Sequence, residues 1–152
     1  MAARAGKPVN RIIRLIVGAG QAKPAPPVGP ALGAHKINLM AFCKDFNART
    51  AKLKPDVPMA VSLTAYKDGS FDYELRSPSV SWFLKQAAGL EKGSGRAGHE
   101  AVAAVSAKDI YEIACIKQGD PNQAYIPLDR IADSIMGTAR SMGIDVQTGD
   151  GT

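Results

Sequence analysis

The sequence predicts an α+β protein of two small domains: an N-terminal α/β unit and a C-terminal unit of three helices. Strand-like segments lie in the first half, and the hydrophobic period is helical in the second. Between them, "RSPSVSW" (Arg76 to Trp82) places a proline where a strand would have to continue. The chain of 152 residues suffices for two very small domains. We expect a tail at 1–8, an N-terminal domain at 9–75, a C-terminal domain at 76–146 and a tail at 147–152.

The N-terminal domain is predicted as a strand, a proline-rich loop, a helix and a β-hairpin. The stretch "VNRIIRLIV" (Val9 to Val17) favours a strand because β-branched residues suit a pleated surface. Asn38 is a suitable N-cap for the helix. The apolar residues spaced for one face of that helix are Leu39, Phe42, Cys43 and Phe46. Asp68-Gly69, between "VSLTAY" and "FDYEL", is typical of a hairpin turn.

The first helix of the C-terminal domain is predicted just after the boundary. We expect Ser77 as its N-cap, Pro78 in its first turn and Gly89 as its C-terminal stop. Its inward face comprises Val80, Phe83, Leu84 and Ala87.

Two further helices follow. Ser106 and Asp109 have the spacing of a capping box that opens the second helix. Its inward residues are Ile110, Ile113 and Ala114. Pro127 can open the third helix, and Gly143 ends it. The core stripe of the third helix comprises Leu128, Ile131, Ile135 and Met142.

The charge of the chain suggests a polyanionic partner, since the net charge is +5 and the sequence pI is about 9.3. Residues 1–75 carry eleven Lys/Arg against five Asp/Glu, whereas residues 76–144 carry eight against seven. Charge alone therefore places a nucleic acid against the first half. The opening "MAARAGKPVNRIIRL" contains arginine and no acidic residue, as organelle-targeting segments do, but it lacks their serines. No apolar run approaches the roughly 18 residues of a membrane span.

The sequence shows no pattern typical of a catalytic or metal site. Cys43 and Cys115 are far apart and fall on apolar helical faces, so we expect buried free thiols in preference to a disulfide or metal pair. His35 and His99 lie in loops without a nucleophile or an HExxH motif. Paired carboxylates for acid–base chemistry are not evident. We therefore expect no enzyme, no cofactor and no metal.

The stretch "GSGRAG" (Gly93 to Gly98) matches the spacing of a dinucleotide fingerprint but lacks its context. That fingerprint requires a strand before it and the start of a helix after it, whereas this stretch follows a helix that has just ended. Two interpretations remain open. The stretch is either a plain linker, or a glycine loop in which Lys92 and Arg96 bind phosphates and which becomes ordered on binding.

Opposite its core stripe, the third helix has a face without apolar residues. Residues at i, i+4, i+7 and i+11 on this face are Arg130, Ser134, Gly137 and Ser141, with Thr138 and Arg140 at its edge. A glycine inside a helix costs about 1 kcal/mol relative to alanine. Either another helix packs closely there, or a nucleic-acid backbone approaches the main chain. The wide minor groove of RNA is recognised through 2′-hydroxyls and shape, which small side chains suit.

The segment "KPAPPVGPALGAH" (Lys23 to His35) is stiff, because proline fixes φ and removes an N–H donor. Its prolines are Pro24, Pro26, Pro27 and Pro30. Such a segment favours polyproline II or a tight helical turn. It is either a rigid structural connection or a preformed apolar surface for a macromolecular partner; its position inside a domain disfavours an SH3-type ligand.

Two stretches carry a family resemblance. "KPAPPVGPALGAHKINLMAFCKDFNART" and "GTARSMGI" (Gly137 to Ile144) closely resemble large-subunit ribosomal proteins of the L-eleven family, and the similarity extends from about Arg11 to Val146. Three stretches, "SVSWFLKQAAGLEKG", "IYEIACIK" and "YIPLDRIADSIMGTARSMGI", are more similar to the mitochondrial members than to the bacterial ones. Together with the absence of acidic residues near the N-terminus, this similarity favours a location in the mitochondrial ribosome, in the matrix, over the alternative location in the bacterial cytoplasm.

The resemblance implies a homeodomain-like C-terminal domain that binds large-subunit rRNA at the base of the stalk, and a mobile N-terminal domain joined to it by a short hinge. The last helix of the family lies along the RNA, and the glycine loop becomes ordered against it. The positions that match are Lys92, Gly93, Ser94, Gly95 and Arg96 in the loop and Gly137, Thr138, Ala139, Arg140, Ser141 and Met142 in the helix.

The resemblance also implies a role for the proline segment. In the family it faces an rRNA cleft where translational GTPases dock and thiopeptide antibiotics bind, and the matching residues include Pro26 and Pro30. The implied partners are large-subunit rRNA, neighbouring stalk proteins and, transiently, the GTPase factors. Neither a membrane nor a small-molecule substrate is implied.

The chain departs from bacterial members in two places. Glu91, His99 and Glu100 dilute the positive charge of the glycine loop, and Ser77-Pro78 replaces a threonine–proline pair at the hinge. The implied RNA contact is also in the C-terminal half, not in the more basic first half. Two alternatives to rRNA binding are a protein-interaction module and a small nucleotide-dependent enzyme that uses the glycine loop.

Overall fold

The computed structural model describes residues 7–26 and 28–148. The chain forms two compact units that divide between Arg76 and Ser77, one residue beyond the boundary expected from the sequence. Both units mix helices and strands, and each has a hydrophobic core of its own.

The N-terminal unit is a three-stranded antiparallel sheet with two helices. The strands are β1 (Val9–Gly18), β2 (Pro58–Tyr66) and β3 (Phe71–Arg76), in the order β1-β2-β3. The helices are α1 (Val28–Gly33) and α2 (Leu39–Thr50). Alternate residues of β2 are buried, because one face of the sheet contributes to the core with α1 and α2. The predicted strand, helix and hairpin are confirmed, and α1 adds a short helical turn within the proline segment.

Local sequence explains why these elements form. The Asn38 side chain caps α2 by accepting a hydrogen bond from the amide of Ala41, at 3.2 Å. Phe42 and Phe46, one turn apart, are fully buried, which is where large aromatic side chains contribute most to stability. In the hairpin turn, Gly69 adopts a φ of 80° that residues with a Cβ rarely adopt.

The C-terminal unit contains the three predicted helices and a pair of strands that the sequence did not predict. The helices are α3 (Val80–Ala88), α4 (Ala107–Gln118) and α5 (Leu128–Ser141). The strands β4 (Ala103–Ser106) and β5 (Ile144–Gln147) pair in parallel. Each strand has four residues, too few to display a hydrophobic period in the sequence.

Three expectations for α3 are wrong. Pro78 precedes the N-cap and so does not lie in the first turn of the helix. The N-cap of α3 is Ser79, whose side chain accepts a hydrogen bond from the amide of Trp82 at 3.3 Å; Ser77 bonds elsewhere. Ala87 is exposed, and Ala88 packs against the core in its place. The expected stop at Gly89 is confirmed by its left-handed conformation, with φ of 66°.

The other two helices agree with the sequence. Both hydrogen bonds of the Ser106–Asp109 capping box are present, and α5 begins after Pro127. The expected inward residues Ile110, Ile113, Ala114, Ile131 and Ile135 are buried, while Leu128 and Met142 are partly buried against the same core. Ala139 is also fully buried, which the proposed core stripe had missed.

The two cysteines differ in exposure. Cys43 is a buried free thiol, as expected. Cys115 is exposed, contrary to expectation, because it lies one turn after the exposed Tyr111 on the outer side of α4. Within residues 7–26 and 28–148, no three His, Cys, Asp or Glu side chains are grouped as a metal site would require. None of the helices described is long and apolar enough to cross a membrane.

Candidate nucleic-acid interface

The face of α5 opposite the core is exposed and smooth. Arg130, Ser134, Gly137 and Ser141 are all exposed, as their spacing predicted. A Cβ added to Gly137 would have no heavy atom of the described residues within 4 Å, apart from its own helix backbone and chain neighbours. Close packing of another helix within the described residues therefore does not explain this glycine.

Two hydroxyl groups at this face, those of Thr138 and Ser141, are oriented by their own helix. Thr138 Oγ1 donates to the carbonyl of Ser134 at 3.0 Å, and Ser141 Oγ donates to the carbonyl of Thr138 at 2.7 Å. Since each hydroxyl proton is used within the helix, the oxygen lone pairs remain as acceptors. The face thus offers acceptors close to the main chain, which suits donors such as ribose 2′-hydroxyls.

Two predicted contact residues have side chains that belong to the core. Ala139 is fully buried, four positions after the buried Ile135, so its side chain cannot form part of the exposed face. Met142 is partly buried and packs against the same core. The main chain of Met142 has a separate role in holding the glycine loop.

The glycine loop lies against the C-terminal end of α5. The amide of Ser94 donates to the carbonyl of Met142 at 2.9 Å, and a Cβ on Gly93 would be 3.2 Å from that same carbonyl oxygen. The amide of Val102 donates to the carbonyl of Gly143 at 2.8 Å. The structure therefore brings together two segments that are about 45 residues apart in the sequence and that were predicted separately as contact residues.

The basic side chains of the loop are exposed. Lys92, Gly95 and Arg96 are on the surface, while Gly93 and Ser94 are half-buried. Arg96 forms an exposed ion pair with Glu100 at 3.8 Å, and its amide donates to Ser94 Oγ at 3.0 Å. An exposed pair of this kind contributes only about 0–1 kcal/mol, so a phosphate group can displace Glu100 at small cost.

Arg140 connects the face of α5 to an adjacent open cavity. Its side chain is exposed and lines a cavity of about 580 Å³ beside Met136 and the strand β5. Arg130 on the same helix and Lys92 and Arg96 in the glycine loop are exposed as well, so α5 and the loop together carry four exposed cations. This part of the C-terminal unit therefore combines a modest positive charge with small side chains that leave the main chain of α5 accessible to another molecule.

In the N-terminal unit, buried apolar residues attach the proline segment to the hydrophobic core. Pro24, Pro26 and Pro30 are exposed, and Pro30 lies within α1; Pro27 lies outside the described residues. Val28 and Leu32, from the same segment, are buried in the core. Pro24, Pro26 and Pro30 are therefore on the outside, while the buried Val28 and Leu32 hold the segment in place.

Hydrogen bonds that the sequence did not indicate fix the residues just before this segment. Asn47 forms a pair of bonds with Ala22, accepting from its amide at 3.1 Å and donating to its carbonyl at 3.2 Å. Thr50 Oγ1 accepts from the amide of Gly20 at 3.0 Å. Polar residues on the inner side of α2, next to an apolar stripe, are the signal that could have indicated these bonds.

Two family profiles match the chain. The profile for ribosomal protein L11, RNA binding domain, matches residues 76–146, and the profile for ribosomal protein L11, N-terminal domain, matches residues 13–71. The matched ranges correspond to the two structural units, and the glycine loop and α5 lie within the first of them. The chain therefore belongs to the ribosomal protein L11 family, a family of structural, non-enzymatic, RNA-binding components of the large ribosomal subunit.

Proposed function

We propose that this protein binds folded large-subunit rRNA at the base of the stalk through one surface, which we call the α5–loop surface. It consists of Lys92 to Arg96 together with Arg130, Ser134, Gly137, Thr138, Arg140 and Ser141. The contact between Ser94 and Met142, which joins the glycine loop to the end of α5, is the observation that supports this proposal most strongly. It makes one continuous surface out of two separate segments.

The proposed recognition depends on shape more than on charge. Residues 76–144 carry eight Lys/Arg against seven Asp/Glu, so the unit is nearly neutral. Small side chains at Ser134, Gly137 and Ser141 let ribose and phosphate atoms approach the helix backbone closely. RNA helices present 2′-hydroxyls in a wide, shallow groove, and such a groove accommodates a smooth helix face.

A binding experiment with the full chain tests this proposal. Gly137→Leu should weaken binding to a labelled fragment of stalk-base rRNA at least several-fold, since the new side chain would occupy the space of the RNA backbone. The helix content should rise or stay level, because leucine favours helices more than glycine does. Ala87→Leu on the exposed side of α3 is the matched control and should bind like the wild type. If Gly137→Leu and the wild type bind the rRNA fragment with equal affinity, the proposal is wrong.

We further propose that the proline segment helps form the docking site for translational GTPases, in contact with neighbouring stalk proteins, and that thiopeptide antibiotics bind beside it. The exposure of Pro24, Pro26 and Pro30 above buried Val28 and Leu32 supports a surface that loses little entropy on docking.

Ribosomes that lack the endogenous protein and are reconstituted with variants test the second proposal. Pro24→Ala combined with Pro26→Ala should lower factor-dependent GTP hydrolysis while rRNA binding remains unchanged. Pro55→Ala, in the turn before β2, is the control. Unchanged GTP hydrolysis in the double variant would contradict a role for these prolines.

For location, we propose the mitochondrial ribosome, supported by the similarity of "SVSWFLKQAAGLEKG" to mitochondrial members of the family. Mass spectrometry of purified large subunits should find the chain in those from mitochondria. Its presence instead in subunits of a cell without mitochondria would favour the alternative, the bacterial cytoplasm.

A further inference from the structure

The strand β1 lies at one edge of the N-terminal sheet. Among the described strands it pairs with β2 alone, in an antiparallel register that runs from Val9 to Gly18. In an antiparallel pair, alternate residues direct their N–H and C=O groups toward the partner strand, so the other residues direct theirs to the free edge. β1 therefore presents a row of main-chain donors and acceptors that β2 does not use.

The outer face of β1 carries large apolar side chains on both sides of an arginine. Three alternate residues of the strand pack with the hydrophobic core: Ile13, Leu15 and Val17. Ile12, Arg14 and Ile16 therefore lie on the opposite face of the sheet. Ile12 and Ile16 are 60% and 65% exposed. Arg14 is exposed and forms no ion pair with a described residue.

The other edge of the sheet, β3, has a different outer face. Its core-facing residues are Phe71, Tyr73 and Leu75. The residues on its outer face are all charged: Asp72, Glu74 and Arg76. Charged side chains protect an edge strand from pairing with other chains. β3 is protected in this way at every outer position, whereas β1 has apolar residues at two of three.

We infer that β1 binds an extended, acidic segment of another protein, which adds a strand to the three-stranded sheet. An extended peptide can match the main-chain donors and acceptors of a sheet edge along its whole length. Charge complementarity favours an acidic segment, because Arg11 and Arg14 are exposed on β1 and no Asp or Glu precedes Asp45. An RNA backbone could bind the arginines, but it would leave Ile12 and Ile16 without apolar partners.

The side chains of β1 also specify the pattern of the bound segment. Directly opposite residues of neighbouring strands interact with one another. The segment should therefore place an acidic residue opposite Arg14, with apolar residues two positions before and two positions after it. A second copy of this chain does not fit this pattern. In the register that pairs Ile12 with Ile16, its β1 would place one Arg14 opposite another, and its β3 has no apolar residue on the outer face.

Photo-cross-linking in reconstituted large subunits tests this inference. Ile16→benzoylphenylalanine places the cross-linker on the outer face of β1 in the full chain. Mass spectrometry of the cross-linked product should identify a protein segment with the apolar–acidic–apolar pattern at alternate positions. Cosedimentation of the chain with the subunit shows separately that rRNA binding is intact. If the chain cosediments but cross-links only to rRNA, to a segment without this pattern, or to nothing, the inference is wrong.

A charge reversal tests the acidic character of the segment. Arg14→Glu should lower the yield of the cross-link about threefold or more, because an attractive cross-strand pair becomes a repulsive one. Lys52→Glu, in the turn after α2, makes the same change of charge on an exposed residue away from β1 and should leave the yield unchanged. An equal yield for Arg14→Glu and the wild type would contradict an acidic partner.

Hydrogen exchange tests whether the main chain of β1 takes part. Amides within residues 9–18 that face the free edge should exchange quickly in the free chain and become protected in the reconstituted subunit. Arg14→Glu should reduce this protection, and Lys52→Glu should not. Equal exchange of β1 in the free chain and in the subunit would mean that no strand is added.

Discussion

Gly143 lies so close to Ser94 that a Cβ added to the glycine would be 2.5 Å from the Cβ of the serine. The same added atom would be 2.9 Å from the carbonyl oxygen of Glu100, and φ of Gly143 is 71°. Both the space and the backbone conformation thus require glycine at this position. The contact between the glycine loop and the end of α5 depends on it.

Gly143→Ala should therefore lower the free energy of unfolding of the C-terminal unit by more than about 1 kcal/mol, since a positive φ and a steric clash act together. Urea unfolding followed through the fluorescence of Trp82, which lies in α3, measures the change. Gly95→Ala is the matched control, because an added Cβ there meets no heavy atom within 4 Å in the described residues. We expect Gly95→Ala to change stability by less than about 0.5 kcal/mol. Similar effects of the two substitutions would contradict the packed contact.

The two thiols should react at very different rates. Cys115 is exposed and should react with a thiol reagent such as DTNB within the mixing phase at mildly alkaline pH. Cys43 is buried, and burial raises the pKa of its thiol, so its reaction should require opening of the N-terminal core. Cys115→Ser should remove the fast phase and leave the slow one. Two fast phases in the wild type would mean that Cys43 is accessible.

The elements predicted correctly are those with a local signal. The cap at Asn38 and the spacing of Phe42 and Phe46 specify α2 without any distant contact. The capping box at Ser106 does the same for α4. By contrast, Ser77 and Ser79 flank the same proline, and only the position of Asp120, about 40 residues away, decides which serine is free to cap α3.

The candidate site was predicted in parts, not as a whole. Helical periodicity indicated the face of α5, including the exposed Gly137. It could not indicate that Ser94 meets Met142, because that contact depends on the pairing of the short strands β4 and β5. Ala139 was included because it lies within a family motif, although the position of its side chain on the helix places it in the core.

The N-terminal unit should have an acid-sensitive contact between Lys7 and Asp68. The side chain of Lys7 donates a hydrogen bond to Asp68, and this, followed by the bonds from Ser70, lowers the pKa of Asp68. A carboxylate whose pKa is lower in the folded state stabilises that state above its unfolded pKa of about 3.9, and the contribution is lost as the pH falls. The free energy of unfolding of the wild-type protein should therefore be larger than that of Asp68→Asn at pH 7. The difference between the two should shrink below about pH 4.

Unfolding followed through amide signals of β1 and β2 separates this effect from the other unit. Asp133→Asn, an exposed carboxylate on α5, controls for the change in net charge. If the difference in free energy of unfolding between the wild type and Asp68→Asn stays constant from pH 7 to pH 2, the hydrogen bond between Lys7 and Asp68 is not its cause.

Binding to rRNA should depend on salt, but only moderately. The α5–loop surface contains four exposed cations: Lys92, Arg96, Arg130 and Arg140. Counterion release by four contacts gives a slope of log affinity against log salt of about −3 to −4. Fluorescence titrations between about 50 and 200 mM salt measure this slope. No dependence would favour a protein-interaction module, and a slope twice as steep would mean that charge, not shape, dominates recognition.

Footprinting of 2′-hydroxyls on large-subunit rRNA tests the central claim most directly, because it reports whether the smooth face of α5 lies in an RNA groove. With the wild-type chain, we predict protection of a contiguous set of riboses at the stalk base, and with Gly137→Leu at the same occupancy we predict that this protection is lost. Identical protection by both chains, or protection confined to phosphates near Lys92 and Arg96, would contradict recognition through the face that contains Gly137.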